Sequence, residues 1–118
     1  METINVETLL NECSYPCISI ILPTDALSQL RQLVAEAESM MRRMDVPEET
    51  IKSIVRELST VDSSSLENGA CGLGIFVSPQ IAGVISFPFK VNKRICVDQM
   101  FDTEYLMQLL EYQTVPAS

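Results

Sequence analysis

Two unbroken apolar runs constrain this chain more than anything else in it, CISIIL at residues 17–22 and ACGLGIFV at residues 70–77. A strand with one face in water alternates apolar and polar side chains, whereas an uninterrupted β-branched run needs cover on both faces. Pro23 closes the first run, because proline withholds a ladder donor. The rest of the chain must therefore supply layers above and below a sheet.

The helical signals supply them. Over residues 26–44 apolar side chains recur at Leu27, Leu30, Val34, Ala37, Met41 and Met44, in steps of three and four that make one stripe facing a sheet, with Asp25 as its cap. The methionines at its end, Met40, Met41 and Met44, suit either adaptable core filling or a groove for a partner. A second helix begins at Pro47, with Glu48 and Glu49 at its positive end and Ile51, Ile54, Val55 and Leu58 on its buried face. Residues 5–12 form a short leading helix through Val6, Leu9 and Leu10.

Beyond a serine-rich loop at residues 61–69, in which Asn68-Gly69 favours positive φ, the pattern turns to strands. Pro79-Gln80 turns the second apolar run into residues 81–87, and Pro88 separates these from a further strand over residues 90–97. Asp102 is placed to cap a last helix whose Tyr105, Leu106, Leu109 and Leu110 pack back on the sheet, and residues 111–118 read as the start of a linker. The class is α+β, a mixed α/β sandwich of order β-α-α-β-β-β-α, with helices covering a sheet of about four strands.

At 118 residues this is one domain. There is no apolar run long enough to span a bilayer and no basic, apolar leader, so the expected location is the cytoplasm, with no membrane partner. The net charge of −8 repels phosphate at long range, so any nucleic-acid contact has to be local. Basic residues gather at Arg42-Arg43 and at Lys90, Lys93 and Arg94, and such runs are usually solvated faces.

The chemistry-bearing residues are few. No histidine is present, which removes the commonest general base and metal ligand. Cys13, Cys17, Cys71 and Cys96 lack the paired spacing of a zinc site, and a reducing compartment favours free thiols. Gly69, Gly72 and Gly74 lie before and inside a strand rather than between a strand and a helix, so they suit close packing against a helix better than a phosphate loop. No cofactor, metal or catalytic group is expected.

Read in order, CISIILPT, SQLRQLVAEA, TIKSIVRELS, GLGIFVS and FPFKVNKRICVDQMFDTEYLMQLL resemble the N-terminal domain of the archaeo-eukaryotic class-one peptide-chain release factors and their bacterial relatives. In that family the domain reads stop codons through three motifs. Its Asn-Ile-Lys-Ser is similar to Thr50-Ile51-Lys52-Ser53, with Thr in place of Asn. Its Tyr-x-Cys-x-x-x-Phe falls on residues 95–101, where Phe101 matches and Ile95 and Val97 replace the Tyr and Cys. Its Gly-Thr-Ser falls on Ser14, Tyr15 and Pro16 and matches at none.

Aliphatic groups cannot hydrogen-bond a base edge, so the resemblance implies a binding module that does not read stop codons. The family's catalytic Gly-Gly-Gln belongs to a separate domain, and this chain contains no Gly-Gly. Thr50, Ile51, Lys52, Ser53 and Phe101 are the candidate nucleic-acid contacts that the resemblance implies. Against them stand a helix turn with one buried Ile and a Phe packed in the core. The implied partners are the ribosome, through RNA or protein, and further domains of a longer chain. Two other classes remain open: an assembly domain that self-associates through a strand edge or its Met-rich helix, and a thiol enzyme using Cys13 or Cys17.

Overall fold

The computed structural model describes residues 3–12, 14–62 and 66–114. A short helix, α1 (Val6–Leu10), is capped by the Asn5 side chain, which accepts from the Glu7 N–H at 2.8 Å. The strand β1 (Cys17–Pro23) leads through a 3₁₀ segment at Thr24–Gln29 into α2 (Leu30–Arg43) and α3 (Glu48–Leu58). Three strands follow, β2 (Gly72–Val77), β3 (Ala82–Phe87) and β4 (Arg94–Asp98), and then α4 (Glu104–Thr114).

The expected class and element order hold. The four strands form one antiparallel sheet in the order β3-β2-β1-β4, so the first strand in the chain lies inside it. That position explains the CISIIL run: Ile18, Ile20 and Leu22 face a core closed by α2 and α3, while Cys17 and Ile21 face a second core closed by α1 and α4. Alternate residues of β2 divide in the same way, Leu73, Ile75 and Val77 to the first core and Phe76 to the second. Three layers result, helices over both faces of the sheet.

Several local expectations change. The buried face of α2 is Leu33, Ala37 and Met41, whereas Leu27, Leu30 and Val34 are only partly buried and Met44 is exposed. Ala37 and Met41 are buried as the stripe requires, whereas its two ends lie off α2, Met44 at the C-cap and Leu27 in the 3₁₀ segment. Asp25 makes no side-chain cap there. Pro47 sits at the N-cap of α3 rather than in its first turn. Strand β4 is shorter than expected because residues 90–93 run outside it, with Val91 buried against Gly72.

The glycines make room for side chains rather than for a helix. A Cβ on Gly74 would lie 2.7 Å from Phe76 Cε2 and 2.8 Å from Phe87 Cε2, and one on Gly72 would overlap the Val91 side chain. Gly69 adopts φ of +84°, as the Asn68-Gly69 pair suggests. Cys13, residues 63–65 of the serine-rich loop and residues 115–118 of the tail lie outside the described residues.

Candidate interaction surface

The residues singled out by the family motifs do not come together. Thr50, Ile51, Lys52 and Ser53 occupy the first half of α3, where Ile51 is buried in the α2/α3 core, Thr50 is half-buried, and Lys52 and Ser53 are exposed. Thr50 and Ser53 line a shallow depression of about 190 Å³ with Glu49, Ile54 and Pro79. Phe101 lies across the sheet in the α1/α4 core, 3% exposed, with its ring edge-on to Phe76 at 5.5 Å. So buried a ring leaves no face open for a base. Ile95 and Val97 pack toward the α2/α3 core, so the positions that align with the family's Tyr and Cys serve here as apolar packing.

Asp102 ties three elements together. Its backbone N–H donates to Ser19 Oγ of β1 at 2.8 Å, and its Oδ1 accepts from the Glu104 N–H at 3.1 Å, one residue further out than a simple N-cap. Its Oδ2 pairs with Arg94 Nε at 2.9 Å, with the Asp102 side chain only 7% exposed. Arg94 also pairs with Glu104 and lies over the Tyr105 ring at 5.8 Å, while the Tyr105 hydroxyl accepts from the Asn92 N–H at 2.9 Å.

The basic residues are dispersed and partly neutralised. Arg42 bonds Glu38 and Glu48, each at 2.8 Å. The hydrogen bond to Arg42 holds the Glu48 carboxyl below its ordinary pKa, and Glu48 and Glu38 raise the Arg42 guanidinium in turn. Lys93 donates to Gln29 Oε1 at 3.1 Å, beside the start of α2. Lys52 and Arg56, exposed and one turn apart on α3, form no ion pair among the described residues, although the Lys52 charge also acts on the Glu48 carboxylate. A groove of about 520 Å³ runs between α2 and the end of α3, with Leu30, Val34, Leu58 and Val61 as its apolar lining and Arg31, Glu38 and Asp62 among its polar groups.

Two of the described thiols, Cys17 and Cys96, offer little to a nucleophilic mechanism. Cys17 is fully buried, and its Sγ–H donates to the carbonyls of Ser14 and Gln99. Burial, reinforced by the Asp102 and Asp98 carboxylates, pushes the Cys96 thiol pKa up, away from a reactive thiolate. Among the described residues no cluster of three or more His, Cys, Asp or Glu side chains could hold a metal, and no helix is long and apolar enough to cross a membrane.

The chain matches no protein-family model and no curated protein. Its fold does match solved structures. The crystal structure of an archaeal translation termination factor, aRF1, aligns at a TM-score of 0.55 and 17% identity over 89% of this chain and 32% of that one. An archaeal protein aligns at 0.54 and 19% identity over 94% of this chain and 37% of its own. This chain thus spans roughly a third of the length of each. At such identities the likeness is one of fold, and by fold this chain is similar to part of a translation termination factor.

Proposed function

We propose that this chain is a non-catalytic binding module of a release-factor-like protein, most like the bacterial relatives of the archaeo-eukaryotic family, docking on the ribosome or its associated factors without reading a stop codon. The observation that carries this reading is the fold shared with the archaeal termination factor. Site chemistry supports the second half of it. The position that aligns with the Phe of the family's motif is a core residue, and Ile95 and Val97 offer no polar group to a base edge.

Charge favours a docking surface that is mostly protein. Arg42 and Arg94 are committed to carboxylates on opposite sides of the sheet, and the chain carries −8 overall. Lys52 and Arg56, one turn apart on α3, offer a narrow RNA contact. Two phosphate contacts give a log–log salt slope of about −1.4 to −1.8, so ribosome affinity is expected to fall only about tenfold between 50 and 200 mM salt.

Co-sedimentation with ribosomes across that salt series tests the reading. Lys52→Glu is expected to weaken binding and to flatten the slope by about 1. Absence of pelleting at the lowest salt would remove ribosome docking, and a slope unchanged by the substitution would remove Lys52 from the contact.

A further inference from the structure

The two edges of the sheet are treated differently. Beside β3 the N-terminal segment adds a bridge, Thr3 to Val84, with the Ile4 N–H donating to the Val84 carbonyl at 3.1 Å. Beside β4 the described residues supply no such cover. In an antiparallel ladder, successive residues turn their main-chain groups to opposite sides. The Thr24 N–H bonds the Cys71 carbonyl at 3.1 Å, continuing the β1/β2 register, so even-numbered residues of β1 serve β2 and odd-numbered ones serve β4. Cys17, Ser19 and Ile21 therefore bond Asp98, Cys96 and Arg94, and the N–H and C=O groups of Ile95 and Val97 point outward.

We propose that β4 is a self-complementary docking edge, at which two copies of this chain pair antiparallel about a two-fold axis beside Cys96 and join their sheets. The strand reads Arg-Ile-Cys-Val-Asp. In that register Ile95 and Val97 exchange main-chain hydrogen bonds with the partner's Val97 and the partner's Ile95. Arg94 then lies opposite the partner's Asp98, once on each side of the axis, and Cys96 faces the partner's Cys96. Registers shifted so that either Ile95 or Val97 lies on the axis place Arg94 or Asp98 against a cysteine, and neither sets the opposite charges together.

Short edge strands with charged ends ordinarily discourage pairing. Here the two charges differ in sign and sit symmetrically about Cys96, so two-fold pairing brings them together. Both have capacity left. Arg94 uses its Nε and Nη1 within its own chain, out of five N–H donors. Exposed Asp98 accepts the Gln99 N–H at 2.7 Å through one oxygen, leaving the other for a partner. This edge is separate from the α3 surface of the proposed ribosomal contact, so each reading stands or falls by its own measurement.

Sedimentation equilibrium of the 118-residue chain at physiological salt, where long-range repulsion is screened, is expected to show a mass rising with concentration from 13.2 kDa toward twice that value. Asp98→Lys places like charges opposite each other twice per dimer and is expected to weaken association by about tenfold or more. Asp98 is exposed, and an unchanged thermal melt shows that the variant folds.

A facing pair without mutual main-chain bonds has Cα atoms about 4.5 Å apart, within disulfide range. Copper–phenanthroline, taking up two electrons as two thiols release two protons, is expected to link the chains through Cys96, as read by peptide mapping, and Cys96→Ser is expected to abolish that link. A single 13.2 kDa species at every concentration, association indifferent to Asp98→Lys, or a link through other cysteines would each overturn the proposal.

Discussion

Phe101→Ala is expected to lower the unfolding free energy by about 3–5 kcal/mol, a large share of the roughly 5–15 kcal/mol that holds a domain of this kind together. The ring is 3% exposed and meets Phe76 edge-on at 5.5 Å, with an interplanar angle of 83°. Phe76 is itself fully buried and packs against the face of Gly74, so the ring that Phe101 meets is held on its other side. Urea unfolding followed by far-UV circular dichroism checks this. A residue whose work was to stack on a base would give the opposite pattern, with unchanged stability and lost binding. A loss below about 1 kcal/mol would mean that the α1/α4 core collapses around the gap.

Asp102→Ala has the next largest expected effect, about 1.5–3 kcal/mol, the range of a hydrogen-bonded charge taken from a protected site. The substitution removes the partner of Arg94 Nε and the acceptor for the Glu104 N–H, while the backbone bond to Ser19 remains possible. Arg94 is 38% exposed and keeps Glu104, so water and the second carboxylate offset part of the loss. Asp102→Asn keeps an acceptor for the helix start but turns its NH2 toward Arg94 Nε, so it gives up the ion pair and the acceptor there while leaving the cap in place. It is expected to cost clearly less than the alanine variant in the same unfolding measurement. Equal costs for the two would assign the effect to the ion pair alone.

Those two residues also show where the sequence is legible. An Asp just ahead of an apolar-periodic segment signals a helix start, and α4 begins there. That the same carboxylate clamps β4 through Arg94 depends on the spatial order of strands, which local pattern does not carry. The run CISIIL announces a strand covered on both faces, and β1 is one, between β2 and β4. Its neighbours could not be read, because ladder partners such as Ile18 and Val77 lie far apart in the chain.

Helix phase was legible only in part. A count begun at Leu27 reaches the buried Ala37 and Met41, but its ends overrun α2, with Leu27 in the 3₁₀ segment and Met44 at the C-cap, and it takes the partly buried Val34 where the core takes Leu33. The candidate site suffers from a related limit. A four-residue motif such as Thr50 to Ser53 says which residue types are adjacent, but only the turn of α3 shows that Ile51 points inward while Lys52 points out. Arg56, which joins Lys52 as an available basic group, had as its only signal a spacing of four residues along the same helix.

The reading of this chain as a ribosome-docking module that ignores codon identity is tested most directly by its affinity for ribosomes programmed with a stop codon or a sense codon in the decoding site. Labelled chain titrated against both is expected to bind each with the same Kd. Tighter binding to the stop-programmed ribosomes, by about tenfold or 1.4 kcal/mol, would show that the chain reads codons despite its aliphatic Ile95 and Val97 and its buried Phe101. Binding to neither would contradict docking on the ribosome.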